Sequence, residues 1–217
     1  MSFSNLYDFL RRLQQNNHKQ WMDANRKEYH RVRDFFVEWL DDVNTTLAAI
    51  DDDYFDTPGK KAINRINNNL LYHPHKPVYK DHFGAGLDQR TKQGDFYIEF
   101  GVNGSFVGGG YWHPSSKEIR SIREAIDYNG EDFQEILDGA EFKNTFGALI
   151  DDNPLKVAPK GFSNDHPHIE LLKHRSFVVV HYFQPEDTQK DNFKQKLVDA
   201  YRVMLPFRRY LNEAVSV

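Results

Sequence analysis

The 217-residue chain contains no cysteine. That excludes disulfides, thiolate nucleophiles, Fe–S clusters and cysteine-ligated zinc together. Long apolar runs are missing too. No stretch approaches the roughly 20 residues that cross a bilayer, so no membrane span is expected. The opening MSFSNLYDFLRRL lacks the basic start and apolar stretch of a signal peptide, which makes a cytoplasmic location the expectation. There is no low-complexity tract, internal repeat or obvious linker, so residues 1–217 read as one α+β domain. Excess positive charge is lacking as well. The formal net charge is −4, which disfavours the broad basic surface of a nucleic-acid binder.

Aromatic residues, by contrast, make up 14% of the chain, so the core should be rich in Phe and Tyr. Hydrophobic content of 39% and charged content of 28% mark a folded protein rather than a disordered one. The charge is unevenly spread. Residues 1–56 carry a net −4, residues 57–92 a net +5, and the remainder a net −5. A basic island in an acidic chain attracts anions locally.

The order of elements follows from periodicity. Leu6, Phe9, Leu10 and Leu13 recur at helical spacing, and Asn16-Asn17 breaks the run. Asn17 is a good N-cap, with Gln20 completing a capping box, for one long helix carrying Trp21, Tyr29, Val32, Phe36, Trp39, Leu40, Val43 and Leu47. Pro74 and Pro77 make the basic island a loop flanked by short strands. Phe96, Ile98, Phe100 and Val102 then alternate with Tyr97, Glu99 and Gly101. Asn103-Gly104 reads as a hairpin turn with positive φ at both positions, setting Phe100 opposite Val107, Glu99 opposite Gly108 and Tyr97 opposite Gly110. On that reading a carboxylate and a phenol lie beside bare backbone, where a ligand or another segment can approach.

Ser115 with Glu118 caps a helix striped by Ile119, Ile122 and Ile126, stopped by Asn129-Gly130 and followed by a shorter helix. A helix capped near Asp165 with Pro167 in its first turn, a buried strand SFVVVHYF and a C-terminal helix kinked at Pro206 complete the reading. The fold class is therefore α+β: a central, mostly antiparallel sheet packed by N-terminal, middle and C-terminal helices.

Two His-Pro-His triplets raise a metal reading. His73 and His75 can chelate from an extended backbone, with His82 or Glu99 as a third ligand. His166 and His168, in a helical first turn, point roughly 200° apart and do not chelate. No HExxH pattern supports either pair, so solvent-exposed loop histidines weigh more than a metal site. The anion reading is stronger. Arg65, Lys76 and Lys80 stand among asparagine amides and Tyr79, and this donor set suits phosphate or carboxylate. The plain alternatives are a solvated basic loop, or Arg65 paired with Glu99.

Glu99 or Asp165 can act as a base with His166 as a proton shuttle, although an N-cap role weighs more for Asp165. Tyr111 and Trp112 read as core or hairpin packing. Gly108–Gly110 is not a P-loop, because no Gly-Lys-Ser/Thr follows. The ligand expected is thus a small anion bound by Arg65, Asn68, Lys76, Tyr79, Lys80, Glu99 and Lys160, with Glu99 or His166 available for acid–base work. A non-enzymatic interaction module is the alternative. Cofactor and oligomeric state are left open.

The stretches FLRRLQQNNHKQWMDANRKEY, RIN with KPVYKDHFG, GSFVGGGYWHP, IREAI and PKGFSNDHPHIELLKHRSF together resemble the bacterial proteins of domain of unknown function 2461, from Phe9 to the last helix. The resemblance implies a single α+β domain of about this length in a soluble protein, and no activity. The family pattern reads Arg-Ile-x-Arg-Asp-x-Arg-Phe, then Asp-Lys-x-Pro-Tyr-Lys. Arg65, Lys76, Tyr79 and Lys80 match it. Asn68, Asn69, Leu71 and His75 stand where the pattern has charged residues. If the family's site uses those charges in catalysis, this chain has lost that site or changed its ligand; if they only pair with each other, losing both signs together is nearly neutral for stability.

Overall fold

A computed structural model describes residues 1–90 and 94–216. Lys92, counted in the basic island, lies outside the described residues. In chain order the elements are α1 (Phe3–Gln15), α2 (Lys19–Ala24), α3 (Arg26–Ala48), α4 (Gly59–Ala62), β1 (His82–Leu87), β2 (Phe96–Gly101) and β3 (Gly104–Tyr111). Then come α5 (Ser116–Asp138), α6 (Ala140–Phe146), α7 (Ile169–Leu172), β4 (Phe177–Phe183) and α8 (Phe193–Ser216). The fold is α+β, with one four-stranded sheet of strand order β1-β2-β3-β4. The described residues cluster into two compact units. The first comprises Met1–Gln89, Tyr97–Val107 and Tyr182–Val198, and the second the remaining described residues.

In the first unit, Ser2 caps α1 through a capping box with Asn5. The long helix expected after it is two helices. His18, not Asn17, is the N-cap of α2, accepting from the Trp21 amide through Nδ1. The chain then breaks at Asn25, whose side chain donates to the Trp21 carbonyl (2.8 Å) and so competes with helical bonding. The core is aromatic, as the composition requires. Phe3 stacks on Phe100 (4.8 Å), with Trp39 and Phe193 edge-on to one or other of them. Gly59 lets α4 approach α3: its amide donates to Asp41 (2.6 Å), and a Cβ there would meet the Val37 carbonyl.

The β2–β3 turn departs from expectation. Its two residues are Val102 and Asn103, and Asn103 does not have positive φ. Gly104 does (+156°), as the first residue of β3. Pairing outward from that turn sets Phe100 opposite Ser105 and Glu99 opposite Phe106. The Tyr97 and Phe106 rings are 5.8 Å apart, so an aromatic side chain covers the face expected to be bare.

In the second unit, Ser115 and Glu118 form the expected capping box of α5. The expected stop at Asn129-Gly130 is a kink: Asn129 leaves helical geometry (φ −144°, ψ 49°), and the helix resumes to Asp138. The segment before α7 stays non-helical longer than expected, in a run of turns. Asp165 caps nothing, and α7 starts at Ile169 after His168. Strand β4 buries only one face, through Phe177 and Val179. Helix α8 carries Pro206 within its span and packs Phe207 and Tyr210 on Phe133. The three glycines of β3 are filled by protein. A Cβ at Gly108 would meet Val179, at Gly109 Met204, and at Gly110 Phe177 and Phe207. They serve strand and helix packing rather than a ligand floor. Trp112, expected to pack inward, is 51% exposed. No helix among the described residues is long and apolar enough to cross a membrane.

Candidate functional site

The basic island folds back on itself as a narrow arm. Asn67 and Tyr79 form an antiparallel bridge, the Asn68 amide donates to Val78 O (3.0 Å), and the Lys80 amide donates to Ile66 O (2.8 Å). At its base, Ile63 bridges Ala85 and the Asn64 amide donates to Gly84 O (2.8 Å). The ribbon is short of partners on its outer edge, and Asn17 supplies one. Its side-chain carbonyl accepts from the Tyr79 amide (2.8 Å) while its NH₂ donates to the Tyr79 carbonyl (2.9 Å). An asparagine side chain here stands in for a neighbouring strand.

This fold sorts the candidate residues. Lys80 is half-buried beside the arm's base. Burial lowers its pKa first, the neighbouring Arg65 and Lys76 charges lower it further, and Glu99 opposes them. Arg65, Lys76 and Glu99 are therefore each within electrostatic reach of Lys80. Arg65, Lys76 and Lys80 nevertheless make no ion pair among the described residues, so the pairing of Arg65 with Glu99 does not form. Two residues leave the expected ligand wall. Tyr79 is only 4% exposed, and the Asn68 NH₂ donates to Pro77 O (2.9 Å). Both hold the arm together.

Glu99 belongs to a polar chain on β1 and β2. Tyr97 Oη donates to Glu99 Oε2 (3.2 Å), and Asn64 Nδ2 lies 3.5 Å from the same hydroxyl. His82 Nε2 lies 3.6 Å from Glu99 Oε2, while its Nδ1 is 3.3 Å from Asp81 Oδ1. Asp81 in turn accepts from Asn103 (2.8 Å) and Gln14 (3.1 Å). Gly84 makes room for this arrangement, because a Cβ there would fall on the Tyr97 hydroxyl.

Lys160 and His166 sit in the second unit. His166 Nε2 is 3.0 Å from Asp127 Oδ1, and its Nδ1 accepts from the His168 amide (3.0 Å). Both ring nitrogens are engaged, one by a carboxylate and one by a backbone amide. His168 similarly faces Glu131 (3.2 Å), one helical turn beyond Asp127. His73 and His75 are exposed on the arm. Among the described residues no three His, Asp or Glu side chains converge as metal ligands, so His73, His75 and His82 do not form the set considered from sequence. Sequence reasoning missed a cluster of cations along α5, comprising Arg120, Arg123 and Arg175 with Lys160. Its one legible signal was the spacing of Arg120 and Arg123 on a helix.

The chain belongs to the family described as Conserved hypothetical protein (DUF2461), whose model matches residues 5–210. No curated protein and no solved structure matches it.

Proposed function

We propose that this DUF2461 protein binds a small phosphate- or carboxylate-bearing ligand along the arm, at Lys80 and Arg65 near its base with Lys76 further out. The observation that carries this reading is Lys80: a half-buried ammonium, destabilised by burial and two like charges, without an ion pair. An anion there replaces lost solvation and neutralises three cations at once. Arg65 offers a planar fork of donors, and the two lysines are point charges. Glu99 beside Tyr97 is the group placed for acid–base work if the ligand is also transformed.

The test is thermal unfolding against phosphate, sulfate, acetate and sugar phosphates. A ligand at about 100 times its dissociation constant adds roughly 2.7 kcal/mol, which for a chain of this size is several degrees at about 2–4 °C per kcal/mol. Lys80→Met should leave ligand-free stability equal or higher and abolish the shift, and Arg65→Gln should weaken it. A shift that persists in both variants places the anion elsewhere and ends this reading.

A second reading rests on the arm's tip. Leu70, Leu71 and Tyr72 are consecutive and 37%, 83% and 73% exposed. Three adjacent exposed apolar side chains on a projecting turn favour an interaction module. A flat ligand panel moves the weight to this reading.

A further inference from the structure

The second unit contains an open groove along the first half of α5. Ser116, Ile119 and Arg123 lie along this stretch of the helix and line two adjoining depressions. The first, of about 510 Å³, is completed by His113, Pro114, Leu155 and Arg175. The second, of about 680 Å³, is completed by Arg120, Glu124, Asp127, Lys160 and Phe162, beside Gly161. Four cations thus face two carboxylates, and Asp127 is already engaged by His166.

Arg123 is fixed in place. Its Nε donates to Leu172 O (2.9 Å) and its Nη2 to His174 O (3.1 Å), two carbonyls left over at the end of α7. A guanidinium has five N–H donors, so donors remain after these bonds. Burial lowers its pKa first and the neighbouring Arg175 charge second, with Asp151 opposing. Arg120, Arg123, Arg175 and Lys160 make no ion pair among the described residues. The groove also has an apolar wall of Pro114, Ile119, Leu155 and Phe162. The N-terminus of α5, 23 residues long, adds its partial positive charge at Ser116.

We infer that this groove binds a phosphomonoester with a compact apolar or aromatic body. The phosphate sits at Arg123 and Arg175, and the body runs past Ile119 towards Phe162. Two adjacent guanidiniums that no carboxylate ion-pairs, with Asp151 near but bonded to the Arg175 amide, call for a dianion, and a phosphomonoester carries about −1.5 to −2 at neutral pH with three acceptor oxygens. A monocarboxylate supplies half that charge. The groove belongs to the second unit and the arm to the first, and the two ligands are tested by different variants.

The probe is phenyl phosphate, titrated into ¹⁵N-labelled full-length protein and followed by amide shifts. The expected result is saturable shifts at Ser116, Ile119, Arg123 and Arg175. Benzoate and inorganic phosphate should bind more weakly, the first for want of charge and the second for want of an apolar body. Arg175→Gln changes an exposed side chain, and the rest of its spectrum reports folding. It should weaken binding about tenfold or more, the loss expected for a charged hydrogen bond. Arg65→Gln should leave these shifts unchanged. Equal affinity in Arg175→Gln, or shifts confined to the arm, would overturn the site. Benzoate binding as tightly as phenyl phosphate would overturn the dianion assignment.

Discussion

Tyr7 and Ser105 show how a single buried hydroxyl pair can be asymmetric. Tyr7 Oη and Ser105 Oγ are 2.7 Å apart, and both residues are at most 1% exposed. Ser105 has other partners: its Oγ accepts from the Gly101 amide (3.1 Å) and can donate to the Gly101 carbonyl (3.3 Å). Among the described residues, Tyr7 Oη has Ser105 alone. Removing the tyrosine hydroxyl therefore leaves Ser105 satisfied. Removing the serine hydroxyl strands the phenol and takes an acceptor from the Gly101 amide. Tyr7→Phe should cost about 0.5–1.5 kcal/mol, and Ser105→Ala about 1–3 kcal/mol. Urea unfolding of the two variants checks the order. Equal costs, or a larger cost for Tyr7→Phe, would mean the phenol finds another partner.

At the scale of elements, Gly84 decides how β1 meets β2. A methyl group at Gly84 would fall on the Tyr97 hydroxyl and within contact of its ring, and would push it off Glu99. Gly84→Ala should cost about 1–3 kcal/mol, in the range of overpacking. Tyr97→Ser, which removes the ring, should erase most of that cost in the double variant. A double-mutant cycle in urea measures it, and additive costs would show that Gly84 is needed for another reason. The same elements show what was legible in sequence. Helical stripes such as Leu6, Phe9, Leu10 and Leu13 are local, and they were read correctly. Asn129-Gly130 reads as a stop and is a kink, because Gly130 admits the His168 ring and lets the helix continue past it. The hairpin register differs from the one the sequence suggests because Asn-Gly is a local preference. Here Gly101 and Gly104 flank the turn, and the Gly101 Cβ position lies against the Gly104 carbonyl. Asn17 was read as a cap because its partner, Tyr79, is 62 residues away. Arg123 and Arg175 meet for a similarly non-local reason, and no spacing rule joins them.

For the molecule as a whole, buried titratable groups set the pH limits of stability. Tyr7 in the first unit and Tyr111 and Tyr210 in the second are each pushed up to about 12, above all by burial. An unfolded tyrosine ionises near pH 10. Below that, both states are neutral and the contribution is whole. Above it, the unfolded chain loses protons that the folded chain keeps, so stability falls as pH rises through about 12. In the second unit, His174 contributes a loss on the acid side. Burial lowers the His174 pKa, although its Nδ1 sits 3.4 Å from Asp151 Oδ2. The unfolded histidine takes up a proton near pH 6.5, while the folded one resists until lower pH, so stability is full above that value and drains away below it. Asp151 adds a second, more acidic step. Burial pushes its pKa up, but the amides of Arg175, Asn153 and Ser176 and the His174 charge outweigh burial and hold it low. That contribution is present above the ordinary aspartate value and is lost as pH falls through the lowered one. Urea midpoints should therefore form a plateau between about pH 7 and about pH 9.5 and fall on both sides. His174→Gln should flatten the fall between about pH 7 and about pH 5 and leave the alkaline limb as it was. An acid limb of unchanged slope in that variant would assign the loss to other groups.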